Sequence, residues 1–184
     1  MFTIHDNDAG LSLVMERDPA PRNPRLVEES LFTLITWTRD LGDAHTWPDQ
    51  AKFHAAVRPD THLIYPLVRV ETSNGPILLR QAELKESPAI GYAIASFDAL
   101  SLHFGLDRLT AAIRDEVIAE AEALCLGELQ ALDDYTQGEV YRFSILDRNG
   151  EVLEIGRDLY GEDLARHMAS QAFEAHLFGV KMDG

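Results

Sequence analysis

Short stretches in which hydrophobic and polar residues alternate recur along the chain, and turn-forming residues separate them. Residues 2–5 and 11–16 flank the turn 6–10, and residues 139–146 and 151–155 flank the turn 147–150. In the middle, residues 62–71 and 77–79 enclose the turn 73–76, and residues 90–94 give a further strand. Alternation with a period of two, bounded by Asn-Gly or Asp/Gly turns, predicts β-hairpins. Within 90–94, Gly91 indicates a bulge or a close backbone approach.

Three segments have the apolar spacing of short helices. Residues 27–38 carry Val27, Leu31, Leu34, Ile35 and Trp37 at helical intervals, after a proline-punctuated loop over 18–25. A second helix is expected to start near Pro48, with Thr46 or Trp47 as its N-cap. A third is expected over 97–104, ending at Gly105.

Two longer helices are predicted in the second half of the chain. The first covers about 107–134 and has one apolar side: Ile113, Val117, Ala121, Leu124, Cys125, Leu129 and Leu132. Its acidic residues fall largely on the other side: Asp115, Glu116, Glu120, Glu122, Asp133 and Asp134. The second covers 162–178 and is expected to face inward with Leu164, Met168, Ala172 and Phe173.

Consecutive hairpins with helices between them predict an α+β fold with a mainly antiparallel sheet, packed against the long acidic helix and the C-terminal helix. The length of 184 residues predicts a single domain, 1–184. One cysteine excludes a disulfide within the chain. Without a long apolar run or a signal-like N-terminus, a cytoplasmic protein without membrane contact is expected.

The protein is strongly negative, since it has 31 acidic and 16 basic residues and its net charge is −15. That balance argues against direct nucleic-acid binding, which needs an excess of Lys and Arg on one face. Between Asp115 and Tyr141 there are eight acidic residues and no Lys or Arg. Two readings are open: a solvated face that serves solubility, or a DNA-mimicking surface that binds a basic partner. We take Asp115, Glu116, Glu120, Glu122, Asp133 and Asp134 as the candidate partner-binding residues.

Catalytic patterns are weak in this chain, so we expect a protein that is not an enzyme and has no cofactor. The sequence contains neither a Gly-x-Ser-x-Gly elbow nor a glycine-rich phosphate loop. Asp43, His45, His54 and His62 could supply a metal site, although their spacing matches no known metal pattern. Exposed Trp37, Trp47 or Phe53 would instead favour a homodimer or another protein partner.

Several short motifs resemble those of a family of phage and plasmid accessory proteins. Asn23-Pro24-Arg25 and Leu41-Gly42-Asp43-Ala44-His45 resemble the start of that family, and Tyr65-Pro66-Leu67 resembles its central strand. Asp134–Phe143, with Tyr-Thr-Gln-Gly-Glu-Val-Tyr inside it, and Tyr160-Gly161 resemble its C-terminal motif. The sequence departs from the family at 71–75 and at 155–158, where His-Ser-Gly and Cys-Trp-Gly elements are usual.

The resemblance implies a mobile-element origin and a role in the host cell's cytoplasm. Small acidic proteins of this kind often block host defence, so the implied function is an anti-CRISPR or antirestriction inhibitor. Its partner would be a host nucleic-acid-binding complex, held through a basic surface. Two alternatives stay open: an accessory protein without inhibitory function, and a metal-dependent enzyme that uses Asp43, His45, His54 and His62.

Overall fold

The computed structural model describes residues 1–27, 29–38, 42–80, 88–109 and 114–182 of the chain. Within these ranges it has eight strands and five helices. In chain order they are β1 (Phe2–Asp6), β2 (Leu11–Arg17), α1 (Pro24–Val27), β3 (Thr33–Thr36), α2 (Gln50–Ala56), β4 (His62–Thr72), β5 (Gly75–Arg80), β6 (Gly91–Ser96), α3 (Phe97–His103), α4 (Arg114–Gln137), β7 (Val140–Leu146), β8 (Val152–Tyr160) and α5 (Glu162–Met182). None of the helices in these ranges is long and apolar enough to cross a membrane.

The chain forms two compact units, one of residues 1–23 with 134–184 and one of residues 24–133. The single domain expected from the length stays a prediction. Each unit contains one four-stranded antiparallel sheet, so the predicted α+β class with hairpin-built antiparallel sheets is confirmed.

The first unit is a sheet of order β1-β2-β7-β8 with α5 packed on one face. Leu13 of β2 lies opposite Ile145 of β7, and Met15 lies opposite Phe143. These four side chains pack against Ala165, Ala169 and Phe173 of α5. Small alanines let the helix approach the sheet closely, which completes the core of this unit.

The second unit is a sheet of order β3-β6-β4-β5, with β6 between β3 and β4. Ile35 of β3 and Ile94 of β6 form a buried cluster with Phe53 in the middle of α2 and Val57 just after its end. The hairpin of β4 and β5 turns at Ser73 and Asn74, as the sequence predicts. The predicted helix over 97–104 is also confirmed, as α3, and Gly105 follows it with φ +64°.

Residues 27–38 do not form the predicted helix. The short helix α1 ends at Val27, and Thr33–Thr36 form β3, which pairs with β6. Leu34, Ile35 and Thr36 are all buried, so both faces of this strand are covered. A strand covered on both faces shows no polar alternation, and its run of apolar residues therefore resembles a helical pattern.

Two helix details also differ from the prediction. The N-cap of α2 is Asp49, whose carboxylate accepts a hydrogen bond from the Lys52 backbone N–H at 2.8 Å, rather than Thr46 or Trp47. On α5, Leu164 and Met168 are exposed, while Ala165 and Ala169 are buried beside Phe173. The inward stripe is therefore rotated by about one residue, because alanines fit the narrow gap above the sheet.

Gly91 lies on the inner strand β6, where it pairs with Thr36 on one side and Leu67 on the other. A Cβ at this position would overlap the carbonyl oxygen of Ile35 and lie 3.1 Å from Cα of Thr36. The close backbone approach expected from the sequence is thus confirmed.

Replacing Gly91 with alanine should destabilise the protein by about 1–3 kcal/mol, because the new methyl group forces β3 and β6 apart. The matched control is Gly127→Ala on the exposed side of α4, where nothing lies within 4 Å of the added Cβ. That variant should be stabilised by up to about 1 kcal/mol, since alanine favours a helix over glycine. Urea unfolding measures both, and equal effects of the two changes would contradict the close approach.

Candidate functional site

The long helix α4 carries most of the residues that the sequence marks as functional. Its apolar side is confirmed, because Val117, Ala121, Cys125, Leu129 and Leu132 are buried. Leu124, expected on the same side, is more than one third exposed. Ile113 and the start of the predicted helix over 110–113 lie outside the described residues.

Two glutamates flank the buried Cys125 on α4 and bind arginines of the second unit. Glu122 forms an ion pair with Arg80 of β5, with Nη1 of Arg80 2.5 Å from Oε1. Glu128 forms an ion pair with Arg25 of α1 over 2.7 Å. Residues 122, 125 and 128 are three positions apart, so they lie on one side of the helix. Acids on this side therefore attach α4 to the rest of its unit.

Arg25 is the most buried of these charges, with only 7% of its side chain exposed. Its Nε and Nη2 donate to the two carboxylate oxygens of Asp43, over 3.0 and 2.7 Å. Nη1 donates to Glu128, and Nη2 also donates to the carbonyl oxygen of Phe32. Burial by itself lowers the pKa of this guanidinium, but the hydrogen bonds to Asp43 and Glu128 outweigh it and raise the pKa overall. Arg25 is therefore charged at any ordinary pH.

The two carboxylates around Arg25 also bind the backbone that leads into β3. The Glu128 carboxylate accepts from the N–H of Leu31 at 2.7 Å and of Phe32 at 3.3 Å. Asp43 accepts from the Leu34 N–H at 2.7 Å, and its own N–H donates to the Leu34 carbonyl oxygen at 2.7 Å. Side chains thus satisfy the backbone groups on the outer edge of β3, where a sheet would otherwise need another strand.

Burial raises the pKa of the Cys125 thiol to about 12, and the nearby Glu128 carboxylate adds to the shift. The thiolate is the nucleophilic form of cysteine, so this thiol is inert at neutral pH. The expectation that Cys125 is a small buried core residue agrees with its full burial.

Asp133 and Asp134 are less exposed than most of the other predicted partner-binding residues. Asp133 is 8% exposed, and its carboxylate accepts a hydrogen bond from the backbone N–H of Leu78 on β5, at 3.1 Å. Asp134 is half-buried, with a carboxylate oxygen 2.9 Å from where a Cβ on Gly161 would lie. Asp133 therefore contributes to the interior and not to an acidic surface.

The other predicted residues divide in the same way. Glu122 is half-buried by its ion pair with Arg80, whereas Asp115, Glu116 and Glu120 are exposed. These three exposed acids occupy the first two turns of α4. Of the predicted partner-binding residues, only this group remains a candidate binding surface, and we call its members the outer acids.

The four candidate metal ligands have separate hydrogen-bond partners. Asp43 binds Arg25, His45 Nε2 donates to the Thr36 carbonyl oxygen at 2.8 Å, and His54 shares a hydrogen bond with the Tyr92 hydroxyl at 3.0 Å. His62 lies 2.9 Å from the hydroxyl of its neighbour Thr61. Among the described residues, no group of three or more His, Cys, Asp or Glu side chains is placed to hold a metal ion.

The aromatic residues that would have favoured an exposed patch form part of the core of the second unit instead. Phe53 is fully buried and stacks on Tyr92 with ring centroids 4.8 Å apart, and Trp37 and Trp47 pack edge-on against Phe53. The Trp37 indole N–H donates to the carbonyl oxygen of Trp47 at 3.2 Å. An open cleft of about 610 Å³ borders Trp37, Pro48 and Ile90.

Residues of the motifs that carry the family resemblance make structural ion pairs and hydrogen bonds. Arg25 of the Asn-Pro-Arg element binds Asp43 of the Leu-Gly-Asp element; Leu41 of that element lies outside the described residues. In the first unit, the Tyr160 hydroxyl donates to the carbonyl oxygen of Arg22, whose side chain binds Asp158. Sequence reasoning named Arg25 only as part of a motif and missed its contacts with Asp43 and Glu128, because a single sequence carries no local signal for partners 18 and 103 positions away.

Comparison of the chain with protein-family models, curated proteins and solved structures gave no match. The family resemblance therefore stays a prediction from short motifs.

Replacing Arg25 with methionine should lower the free energy of unfolding by about 3–5 kcal/mol, because a buried cation is removed and two partly buried carboxylates lose their only described cation. The control is Arg58→Met, which removes an ion pair with Asp60 whose partners are both more than half exposed. Its cost should stay under about 1 kcal/mol. Urea unfolding followed by circular dichroism compares them, and similar losses would contradict the importance assigned to Arg25.

The Cys125 thiol should make stability depend on alkaline pH. As pH rises from about 9 toward 12, the unfolded thiol loses its proton while the folded thiol keeps it. Proton loss stabilises the unfolded state, so the free energy of unfolding should fall by up to about 1.4 kcal/mol per pH unit. The variant Cys125→Ala lacks this contribution, so its stability deficit relative to the natural sequence should shrink between about pH 8 and about pH 10. A deficit that stays constant across this range would contradict the raised thiol pKa.

Proposed function

We propose that this protein is a non-enzymatic, mobile-element-encoded inhibitor of a host nucleic-acid-binding defence complex, of the anti-CRISPR or antirestriction kind. It acts by placing an acidic surface on a basic, DNA-handling surface of that complex. The observation that carries the proposal is the net charge of −15 together with the way the arginines are used.

Much of the positive charge is already bound by acids of the same chain. In the part of the chain that the structure describes, eight arginines are in ion pairs with Asp or Glu: Arg17, Arg22, Arg25, Arg58, Arg69, Arg80, Arg142 and Arg166. These pairs cancel charge locally, so the surplus of acids is left to the rest of the surface. A field of that sign attracts a surface rich in Lys and Arg and raises the association rate.

The outer acids supply the densest exposed charge on α4. Asp115 and Glu120 are five residues apart, so three carboxylates lie within about 8 Å of helix length. One strand of DNA carries a charge about every 3.4 Å, which is a similar spacing. Over the whole helix the acids are too sparse to imitate DNA, and only in its first two turns does their spacing along the helix axis approach that of a DNA strand.

The proposed binding surface is smaller than the acidic face that the sequence predicts, because it includes only the outer acids. Glu122 and Glu128 bind arginines and Asp133 is buried, so changing them would test stability and not partner binding. The outer acids touch no described ion-pair partner, and their replacement leaves the core intact.

The experiment replaces Asp115, Glu116 and Glu120 together with lysine. The tagged protein captures its partner from a lysate with CRISPR and restriction systems, and salt elutes the partner stepwise. We expect the natural sequence to retain a DNA-binding effector that salt or added duplex DNA releases, because both compete for basic residues. The triple variant should not retain it. Asp115 and Glu116 also favour the helix start, so a loss of about 1 kcal/mol in stability is expected as well.

The matched control changes three exposed acids of the other unit, Asp8, Asp163 and Glu174, to lysine. It alters the net charge equally but leaves the outer acids in place. Retention of the effector by the control and its loss by the triple variant would support the proposal. Equal loss by both would mean that net charge alone governs binding, and recovery of no nucleic-acid-binding protein by the natural sequence would overturn the proposed function.

A further inference from the structure

The exposed apolar side chains of the described residues are concentrated on two consecutive elements. Twelve large hydrophobic side chains are exposed, and six of them lie on β8 and α5: Val152, Leu153, Ile155, Leu164, Met168 and Phe178. Between 41% and 68% of each of these six residues is accessible. Such a concentration on one part of a surface is typical of a protein interface.

The six side chains do not all lie on one face of the first unit: Glu154 of β8 faces α5, so its neighbour Ile155 points to the other face of the sheet. β8 is the outermost strand in the order β1-β2-β7-β8. On α5, Arg166 lies over Phe2 of β1 and His176 binds Glu154 of β8. Leu164, Met168 and Phe178 recur at helical spacing on the side of α5 away from Arg166 and from the buried Ala165, Ala169 and Phe173, so they face away from the sheet.

The occupant of this edge follows from the sequence of β8 and the turn before it. When two copies of this segment run antiparallel with Glu154 at the centre, Glu151 of each copy lies opposite Arg157 of the other, and Leu153 of each lies opposite Ile155 of the other. All four residues are exposed. Glu154, which would lie opposite itself, is held on its own unit by His176 at 2.9 Å. The segment is therefore complementary to itself in both charge and apolar character.

We propose that two copies of this chain associate across β8, around a two-fold axis at Glu154. The β7–β8 ladder shifts register between Ile145 and Leu146, beside Leu153. A bulged edge resists continuous strand pairing, so side chains carry the contact: two Leu153–Ile155 pairs at the centre and two Glu151–Arg157 ion pairs outside them. The α5 residues Leu164, Met168 and Phe178 lie on the other side of the sheet and take no part in this contact.

A second copy fits this edge better than a basic partner does. A basic partner seeks carboxylates, whereas this edge is apolar at its centre and Arg157 lies beside it. Two chains of net charge −15 repel each other, so they can meet only where charge is low or complementary. The inference does not depend on the proposed function, because it concerns the purified protein alone.

The test is sedimentation equilibrium of the purified full chain from micromolar to millimolar concentration. The natural sequence should reach twice the mass of one chain. Arg157→Glu and Glu151→Arg should each weaken the dimer at least about tenfold, because each creates two like-charge contacts. The double variant E151R/R157E restores opposite charges and should restore the dimer.

Ile155→Lys tests the apolar centre and should give a monomer. Its control is Leu102→Lys on α3 of the second unit, where the residue is 83% exposed, and this variant should still dimerise. Circular dichroism checks that each variant is folded. If Ile155→Lys does not fold, the charge variants, including E151R/R157E, still test the proposal. A natural sequence that stays monomeric, a dimer that both single charge variants leave unchanged, or a double variant that does not recover would each overturn the proposal.

Discussion

The guanidinium of Arg25 lies between the carboxylates of Asp43 and Glu128, and the second unit is organised around this contact. The three side chains satisfy one another and the backbone groups of Leu31, Phe32 and Leu34. A buried charge is costly unless it is paired and hydrogen-bonded, and here each charge is both. The cluster closes the outer edge of β3, which lets a strand of four residues end its sheet without another strand beside it.

The acids of α4 lie in two environments, and their position on the helix decides which. Glu122 and Glu128 flank the buried Cys125 and attach the helix to Arg80 and Arg25. Asp115, Glu116 and Glu120 face solvent, where their charge is available to a partner. A change of charge at Glu122 or Glu128 is therefore expected to affect stability, whereas a change at Asp115, Glu116 or Glu120 tests the proposed binding.

The elements that sequence pattern predicted well are those whose signals are local. The hairpins at Asn74-Gly75 and at 147–150 follow from turn residues between alternating strands, and the burial of Val117 to Leu132 follows from a helical period. β3 was predicted wrongly because Leu34, Ile35 and Thr36 are buried together, and that burial depends on partners far along the chain. Glu122 and Asp133 look like surface acids in sequence for the same reason.

The sequence by itself determined the α+β class, the antiparallel hairpins, the long helix with its apolar side, and the acidic charge. These depend on periodicity and turn chemistry between neighbouring residues, or on composition alone. Only the tertiary structure decided that Arg25 meets Asp43 and Glu128, that Asp133 lies inside, and that Leu164 and Met168 lie outside. Ion pairing joins residues as far as 136 positions apart, as in Arg22 and Asp158, and no local pattern records which partner an exposed-looking charge will find.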